Sequence, residues 1–363
     1  MSRGLSTAAA RWAGMGPYYA MFPVNFTTHV VETYSTAGQT VLDPFAGRAT
    51  GIYAAATTGR SGIGIEINPV GWRYGRVKLR PASCEQVLAR LQSLDQAAKG
   101  IQQAQLTSLP AFFSHCYAPN VLRFLLAARH HLAWKTDQVD ATLMAIVLIY
   151  LHAKLGGGLS NQMRQGKSMA PDYSVRWWNT RRMDPPDLDP IAFLKQRICW
   201  RYAKGTPNFP LSVVHLGDST SVLPSLASEM APASLLLTSP PYYEITNYHY
   251  DQWLRLWLLG GPVHPTKCGM GPHQGRFESQ TAYRSLIEQV FAHSAPLLAP
   301  DAVIYVRADA RSFTQQIIRE ALTKHFPTKR MWLVNQPVTG RTQTSQFGDW
   351  APKPGEVDFI LES

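Results

Sequence analysis

A run of five residues, Thr238-Ser239-Pro240-Pro241-Tyr242, combines a hydroxyl group, a constrained carbonyl and an aromatic ring directly after three leucines. The two prolines hold the chain extended and bring no amide hydrogen, so the carbonyl of Pro240 stays available to a ligand. A rigid carbonyl beside a hydroxyl and a stacking ring could receive a planar group that carries an exocyclic amine. Taken alone, the same run would also fit an edge strand that ends at prolines.

Three acidic residues follow apolar runs that are typical of buried strands. Asp43 ends TVLD and opens the run DPFAG, Glu66 closes GIGIE, and Asp218 follows LSVVHLG. Ligands of open α/β sheets bind at the carboxyl ends of the strands, where Gly47 would let the backbone come close. Glu66 could receive the two hydroxyls of a ribose and Asp218 an adenine amine, and the lack of a GxGxxG run favours a nucleoside without pyrophosphate. Each acid alone would more often be a helix cap or a solvated strand end.

Two blocks of strands must position these groups. In the first block, strands at 40–43 and 62–67 flank a short helix at 52–58, which makes one βαβ unit. The second block has strands at 211–216, 235–238, 303–307, 331–334 and 357–361, and helices at 281–298 and 313–326. This alternation predicts an α/β sheet with helices on both faces.

The region between the blocks has a different composition. Helical patterns cover 85–105, 120–134 and 139–155, and residues 154–204 contain ten basic and four acidic side chains among several aromatic ones. The segment fits either a solvated basic surface over a small aromatic core or a nucleic-acid-binding insert. The residues of this segment that we expect to contact DNA are Arg176, Arg181, Arg182, Trp177 and Trp178.

Two further segments are candidates for contact with a nucleic acid. Tyr248, just past the five-residue run, could line a base pocket, or it could help to cap the helix that begins near Asp251. Residues 260–279, rich in glycine, proline and histidine, could form a second DNA-facing loop.

Charge and cysteine content narrow the class of protein. The 363 residues include 35 lysines and arginines against 24 aspartates and glutamates, a net charge of +11, and 24 of the 35 are arginines. Guanidinium groups pair phosphates and base edges bidentately, so this balance favours a polyanionic partner, although charge alone leaves the question even. The four cysteines form no CxxC pair, and we expect neither a bound metal nor disulfides. We also expect no membrane span and no secretory signal, and therefore a cytoplasmic protein.

The paired motifs at 43–47 and 238–242, supported by Glu66 and Asp218, resemble those of the S-adenosylmethionine-dependent DNA amino-methyltransferases of the TSPPY type. These enzymes modify the exocyclic amine of cytosine or adenine. The segment Ala20-Met21-Phe22-Pro23 is also similar to the cofactor-side segment of this family. The resemblance covers 17–80 and 211–309, and it implies a Rossmann-like methyltransferase sheet. In that reading 1–80 and 206–363 form the catalytic domain, and 81–205 is a mainly helical insert and candidate target-recognition region.

The resemblance also implies the cofactor, the partner and the roles of single residues. S-adenosylmethionine would be the cofactor and double-stranded DNA the partner. Ser239 and the Pro240 carbonyl would accept hydrogen bonds from the target amine, and Tyr242 would stack on a base flipped out of the helix, with direct methyl transfer. The implied catalytic residues are Ser239, Pro240, Pro241 and Tyr242. The implied cofactor-binding residues are Phe22, Pro23, Asp43, Pro44, Phe45, Gly47, Glu66, Asp218 and Thr238.

Several alternatives stay open at the level of sequence. A serine at the first position of the tetrapeptide is, in this family, more typical of cytosine N4 enzymes, so we expect that base and keep adenine N6 as the alternative. An RNA or protein methyltransferase and a catalytically silent DNA-binding homologue are further alternatives. Where the family usually has a second glycine and threonines, this chain has Arg48-Ala49-Thr50-Gly51, and Arg48 could pair the methionine carboxylate or face solvent. The family also makes a separately acting restriction endonuclease a compatible partner, and a solitary enzyme equally so.

Overall fold

A computed structural model describes residues 7–17, 22–244, 247–269, 273–274, 277, 279–336 and 355–363. The chain forms two compact units. The insert unit consists of residues 1–17, 76–208 and 249–267, and the sheet unit of residues 18–75, 209–248 and 268–363. The insert predicted at 81–205 thus lies within a larger unit, to which two segments remote in sequence contribute.

The sheet unit is built on a seven-stranded sheet in the order β3-β2-β1-β4-β5-β7-β6. Strands β1 to β5 are parallel to one another, whereas β7 is antiparallel to both β5 and β6. The strands are β1 (Thr40–Asp43), β2 (Ser61–Glu66), β3 (Val213–Leu216), β4 (Ala233–Thr238), β5 (Leu298–Asp309), β6 (Arg330–Gln336) and β7 (Glu356–Glu362).

The helices of the described residues follow in chain order. They are α1 (Ala8–Ala13), α2 (Val24–Tyr34), α3 (Thr50–Thr57), α4 (Pro69–Leu79), α5 (Cys84–Lys99), α6 (Gln103–Thr107), α7 (Ala111–Cys116), α8 (Pro119–His131), α9 (Gln138–Tyr150), α10 (Pro171–Thr180), α11 (Pro190–Tyr202), α12 (Ser219–Leu226), α13 (Tyr248–Asp251), α14 (Trp253–Leu258), α15 (Gln280–Ser294) and α16 (Ser312–His325). The boundary between the two units falls within α4 and within α13.

Helices cover both faces of the sheet because successive strand side chains point to opposite sides. Leu42 and Leu236 pack into one core with residues of α12, α15 and α16. Val41 and Leu235, their neighbours in sequence, pack into a second core with residues of α2 and α3. The prediction of a mixed α/β sheet with helices on both faces is therefore confirmed.

The described residues of the insert unit form helices and loops around α9. Every residue of α9 from Asp140 to Ile149 is buried, which is typical of a helix inside a helical bundle. Helix α5 packs against α8, α9 and α11, and its start is fixed by a capping box between Ser83 and Gln86. From the segment 249–267, Trp253 and Trp257 pack on Phe112 and Phe113 of α7. This segment supplies part of the core of the insert unit.

Candidate active site at the carboxyl edge of the sheet

The predicted motifs meet at one edge of the sheet unit. Because β1 to β5 run in the same direction, the residues at their carboxyl ends lie along the same edge. These end residues are Asp43, Glu66, Leu216, Thr238 and Asp309. Two of the polar motifs follow directly from them, since Asp218 comes two residues after Leu216 and Ser239 comes one after Thr238. The edge is where ligands of open α/β sheets bind.

Asp43 joins the two sequence motifs. Its Oδ1 atom accepts a hydrogen bond of 2.7 Å from the Thr238 hydroxyl and one of 3.1 Å from the amide of Phe45. Burial raises the pKa of Asp43 to about 7, although both hydrogen bonds act to lower it. The carboxyl group therefore fixes the start of the DPFAG turn against the end of β4 and changes charge near neutral pH.

The turn from β1 into α3 lies close against β2. The amide of Ala46 donates to the carbonyl of Ile65 over 2.9 Å. A Cβ atom on Gly64 would lie 2.8 Å from the Cβ of Ala46, so the absence of a side chain there lets the turn approach. Gly47 has a φ of 56°, a conformation that glycine adopts without strain. The Pro44 carbonyl accepts a hydrogen bond from the hydroxyl of Ser219 at the start of α12.

Two side chains after the turn are buried where α3 begins. Arg48 is 7% exposed, and burial lowers the pKa of its guanidinium to about 10, with Tyr74 acting in the opposite direction. Of the two placements that the sequence leaves open for Arg48, the structure therefore excludes the one in which it faces solvent. The hydroxyl of Thr50 is buried without a hydrogen-bond partner among the described residues, and no side chain caps the first turn of α3. A helix start of this kind favours a negatively charged group.

Glu66 and Asp218 lie on neighbouring strand ends. Glu66 is buried, and its Oε1 accepts a hydrogen bond of 2.7 Å from the amide of Asn68. The amide of Gly217 donates to the main-chain carbonyl of Glu66 over 3.1 Å, which holds the two ends together. Asp218 caps α12 by accepting from both the amide and the hydroxyl of Thr220, at 2.9 and 2.7 Å. The pairing brings both acids to the same edge of the sheet, and their roles as cofactor ligands stay predictions.

His273 is a site residue that sequence reasoning missed as an individual side chain. Its Nδ1 lies 2.7 Å from Oδ2 of Asp218, and its ring stacks on Phe277 with centroids 6.0 Å apart. Burial acts to raise the pKa of Asp218, but hydrogen bonds from His273 and Thr220 outweigh it, and the pKa lies below its ordinary value. The signal that the sequence offers is the histidine content of 260–279, the segment that is also a candidate for a second DNA-facing loop.

The tetrapeptide Ser239–Tyr242, predicted to be catalytic, is fixed at both ends. Thr238 is buried and bonded to Asp43, Ser239 is half-buried, and Pro240 is buried. The Tyr242 hydroxyl donates to Oε1 of Glu356 over 3.2 Å. Burial and the negative charge of Glu356 raise the pKa of Tyr242 well above its ordinary value, so the phenol stays protonated.

The chain beyond the tetrapeptide is held by β5. Arg311 donates to the carbonyl of Tyr243 and pairs with Asp309 at 2.8 Å. Tyr243 itself is buried against Phe313 and Tyr283, with ring centroids 4.9 and 5.5 Å apart. Arg311 and Glu356 were not predicted from sequence, because they lie far along the chain and in no motif.

The remaining predicted site residues of the sheet unit have other surroundings. Phe22 is buried in the core beside α2, with its ring 5.5 Å from that of Phe26. Pro23 is exposed and directly precedes α2. Phe45 is half-buried and packs on the core beneath α15 and α16. Tyr248 starts α13, and its carbonyl lies 3.4 Å from the Asn68 side-chain amide that donates to it.

The arginines and tryptophans predicted to bind DNA separate into two groups. Arg176 and Arg181 are exposed, and Arg181 lies over the ring of Trp177 with its guanidinium 4.3 Å from the centroid. Arg182 is also exposed. Trp178, in contrast, is fully buried, and its indole donates to the carbonyl of Gln162, so it is a core residue without a surface for DNA.

Within the described ranges, no three histidine, cysteine, aspartate or glutamate side chains are grouped so as to hold a metal ion. The four cysteines are free thiols. Over the same part of the chain, no helix has the length and apolar character required to cross a membrane.

The comparison with known families gives one match. A family model described as DNA methylase, covering N6 and N4 methyltransferases, matches residues 4–72, which include the DPFAG turn and Glu66 but not the tetrapeptide. This match confirms the resemblance to the DNA amino-methyltransferases. It also confirms the coarser prediction of a methyltransferase that uses S-adenosylmethionine. No curated protein matches the chain.

Solved structures with some likeness to this chain are also methyltransferases. The rRNA methyltransferase AviRa of Streptomyces viridochromogenes is 12% identical with a TM-score of 0.35, over 98% of this chain and 93% of that one. TrmN of Thermus thermophilus is 10% identical with a TM-score of 0.37, over 100% of this chain and 54% of TrmN. An S-adenosylmethionine-dependent methyltransferase of Agrobacterium tumefaciens is 10% identical with a TM-score of 0.37, over 94% of this chain and 63% of that one.

Proposed function

We propose that this chain, a methyltransferase whose residues 4–72 match the DNA methylases, transfers a methyl group to the exocyclic amine of a base in double-stranded DNA, with N4 of cytosine as the target. The observation that carries this proposal is the 2.7 Å hydrogen bond between Thr238 and Asp43. It joins the turn expected to hold the cofactor to the tetrapeptide expected to hold the amine, within one unit and at one sheet edge.

The groups at this edge fit S-adenosylmethionine. Glu66 and Asp218 are carboxylates on adjacent strand ends, suited to ribose hydroxyls and an adenine amine respectively. Arg48 brings a buried guanidinium to the start of α3. Thr50 brings a buried hydroxyl that has no hydrogen-bond partner among the described residues. Both groups are suited to the methionine carboxylate. The cofactor supplies an electrophilic methyl group on a sulfonium.

The tetrapeptide would orient the target amine. Ser239 and the Pro240 carbonyl would accept its two N–H bonds, and Tyr242 would stack on the flipped base. With both hydrogens held by Ser239 and the Pro240 carbonyl, the nitrogen lone pair would be left free to accept the electrophilic methyl group that bound S-adenosylmethionine would supply. Orientation of the two reactants supplies much of the rate, and no covalent intermediate with the protein is needed.

Double-stranded DNA is the proposed partner, and the exposed face of α10 is the proposed contact surface. Tyr173, Arg176 and Trp177 share this face, because their spacing of three and four residues follows the helix repeat. Arg181, the residue after the helix, extends the surface because its guanidinium lies over the ring of Trp177. Such a surface offers guanidinium groups to phosphates and rings to bases. A restriction endonuclease that acts separately on the same sequence is the cellular partner that this activity would serve, in the cytoplasm.

The test is methyl transfer from radiolabelled S-adenosylmethionine to three substrates: duplex DNA of mixed sequence, RNA of the same sequence, and a protein extract. Labelled DNA would be digested to nucleosides and analysed by mass spectrometry, and we expect N4-methyldeoxycytidine. N6-methyldeoxyadenosine in the digest would show that adenine, and not cytosine, is the target base. Label confined to RNA or protein would refute the DNA proposal, and cofactor binding without any transfer would identify a silent homologue.

A further inference from the structure

Tyr242 is anchored from the far end of the chain. Glu356, the first residue of β7, accepts its hydroxyl hydrogen over 3.2 Å. In the sheet, Glu356 lies opposite Asp309, the last residue of β5, so β7 begins beside the carboxyl edge where the tetrapeptide leaves β4. The carboxylate thus reaches the phenol from a neighbouring strand end.

Glu356 is in turn held by buried groups. Its Oε2 lies 3.4 Å from the Arg307 guanidinium, which makes two hydrogen bonds of 2.6 and 2.7 Å to Asp358. Asp358 is 0% exposed and also accepts from the hydroxyl of Tyr305 at 2.7 Å. The Arg307 guanidinium lies 3.6 Å from the centroid of the Phe26 ring. A continuous set of polar contacts therefore runs from the buried sheet to the phenol.

This arrangement is not required to hold β7 in place. The strand pairs with β5 and β6 through main-chain ladders along its whole length. The Glu356 side chain is 45% exposed, so its burial contributes little to the core. The Tyr242 hydroxyl also has a side-chain hydrogen bond with Ser239, its neighbour in the tetrapeptide, so Glu356 is the partner that fixes the phenol from another strand. A stacking platform needs one orientation, and each bond to the hydroxyl restricts rotation about the two side-chain bonds of tyrosine. The side chain of Glu356 thus contributes little to the stability of the fold, and its hydrogen bond to Tyr242 is the contact that matters at the candidate site.

We propose that Glu356 is a positioning residue, which holds the Tyr242 ring in the orientation that stacks on the target base. The inference rests on the proposed function, because it assigns Tyr242 the role of platform. Glu356 would not touch the base or the cofactor. Its loss should therefore slow transfer without weakening cofactor binding.

The test is a double-mutant cycle on the duplex that the wild-type protein methylates. Glu356→Ala should lower kcat about tenfold, the loss of one hydrogen bond to a charged group. Tyr242→Phe removes this contact and also the side-chain hydrogen bond between Tyr242 and Ser239, so it should lower kcat by at least as much. The double variant should be no slower than Tyr242→Phe, because Glu356 acts only through the phenol hydroxyl. Glu356→Gln keeps an acceptor oxygen and should lie closer to wild type. Cofactor affinity, measured by calorimetry, should stay unchanged throughout.

Glu362→Ala is the matched control, since it removes a glutamate from the other end of β7. Its kcat should equal that of wild type. Multiplied losses in the double variant, or equal behaviour of Glu356→Ala and Glu362→Ala, would overturn the proposal. Failure of the proposed function is recognised separately, as absence of methyl transfer to DNA by the wild type. In that event the same double-mutant cycle is measured on the free energy of unfolding in urea. Additive effects of the two substitutions on this free energy would show that Glu356 and Tyr242 do not interact.

Discussion

Asp43 is a carboxyl group whose protonation is linked to folding. Its pKa is raised by burial to about 7, whereas an unfolded aspartate titrates near 4. Between these values the folded chain binds more protons than the unfolded one, so the contribution of Asp43 to stability is complete below about pH 4 and is lost as pH rises through 7. The shift corresponds to roughly 4 kcal/mol.

We therefore predict that Asp43→Asn flattens the pH dependence of stability. The amide keeps an acceptor oxygen for Thr238 and Phe45 but does not ionise. Urea unfolding between pH 4 and pH 8 should show the wild type losing stability relative to this variant as pH rises. Asp301→Asn, a change at an exposed residue of the same unit, should follow the wild type. Parallel profiles for wild type and Asp43→Asn would refute the linkage.

Glu66 and Ser239 should separate cofactor binding from transfer. Glu66→Gln keeps the acceptor for the Asn68 amide but removes the charge, and we expect the Kd for S-adenosylmethionine to rise about 10- to 100-fold. Ser239→Ala should leave this Kd near normal and lower kcat by a similar factor. Calorimetry and single-turnover transfer would measure the two effects.

The control for Ser239→Ala is Ser225→Ala, a change at an exposed serine of α12 that should alter neither quantity. A weaker cofactor affinity in Ser239→Ala, together with a slower transfer in Glu66→Gln, would mean that the two roles had been exchanged.

At the scale of elements, α10 gives the sharpest test of the nucleic-acid surface. Each of the substitutions Arg176→Ala and Arg181→Ala should weaken duplex binding at low salt and reduce the slope of log affinity against log salt by about one. Arg319→Ala removes one charge from an exposed position of α16 in the sheet unit and should leave the slope unchanged. Equal slopes for all three variants would show that the basic surface of α10 is solvated and makes no contact with DNA phosphates.

The strands were predictable because they are short buried apolar runs. The predicted strands at 235–238 and 357–361 lie inside β4 and β7, and the helix at 313–326 coincides with α16 to within a residue at each end. The largest error is the start of β5, at Leu298 rather than residue 303. Edge position explains a smaller one: β3 starts at Val213 rather than Leu211, and Leu211 is 80% exposed. The predicted helix at 85–105 is divided at Gly100, where α5 ends before α6 begins.

Two helices were hidden inside the basic segment. Helices α10 and α11 have aromatic and charged side chains interleaved along their sequences, which conceals the apolar period. Their signals were local: Pro171 and Pro190 each stand at the first helical position, and Asp189 caps α11. Trp178 illustrates the limit, because the sequence does not show which tryptophan of an adjacent pair faces the core.

Across the whole chain, sequence patterns indicate where strand ends meet, but they do not indicate contacts made by remote segments. The position of Asp43, Glu66, Asp218 and Thr238 at one sheet edge was predictable, because parallel strands bring their carboxyl ends together. Partners that reach the site from remote segments, such as His273 and Glu356, had no local pattern to indicate them. The same limit applies to the units: nothing local in 249–267 shows that it folds with residues 76–208.

Trp257 tests that division into units. It is fully buried in the insert unit, its ring lies 4.5 Å from that of Phe113, and its carbonyl accepts a hydrogen bond from Arg129. Trp257→Ala should leave a cavity and destabilise the insert unit by about 3–5 kcal/mol. In hydrogen exchange followed by mass spectrometry, α5, α8 and α9 should lose protection while β4 and β5 keep theirs.

Phe291→Ala provides the reciprocal experiment, because Phe291 is buried in the core of the sheet unit. This substitution should increase hydrogen exchange in β4 and β5 and leave α9 protected. If Trp257→Ala instead accelerated exchange in β4 and β5 and spared α9, the segment 249–267 would belong to the sheet unit. A truncation designed to remove the insert at 81–205 would then succeed. Under the division found here it should fail, because it leaves Trp253 and Trp257 without the rings of Phe112 and Phe113 that cover them.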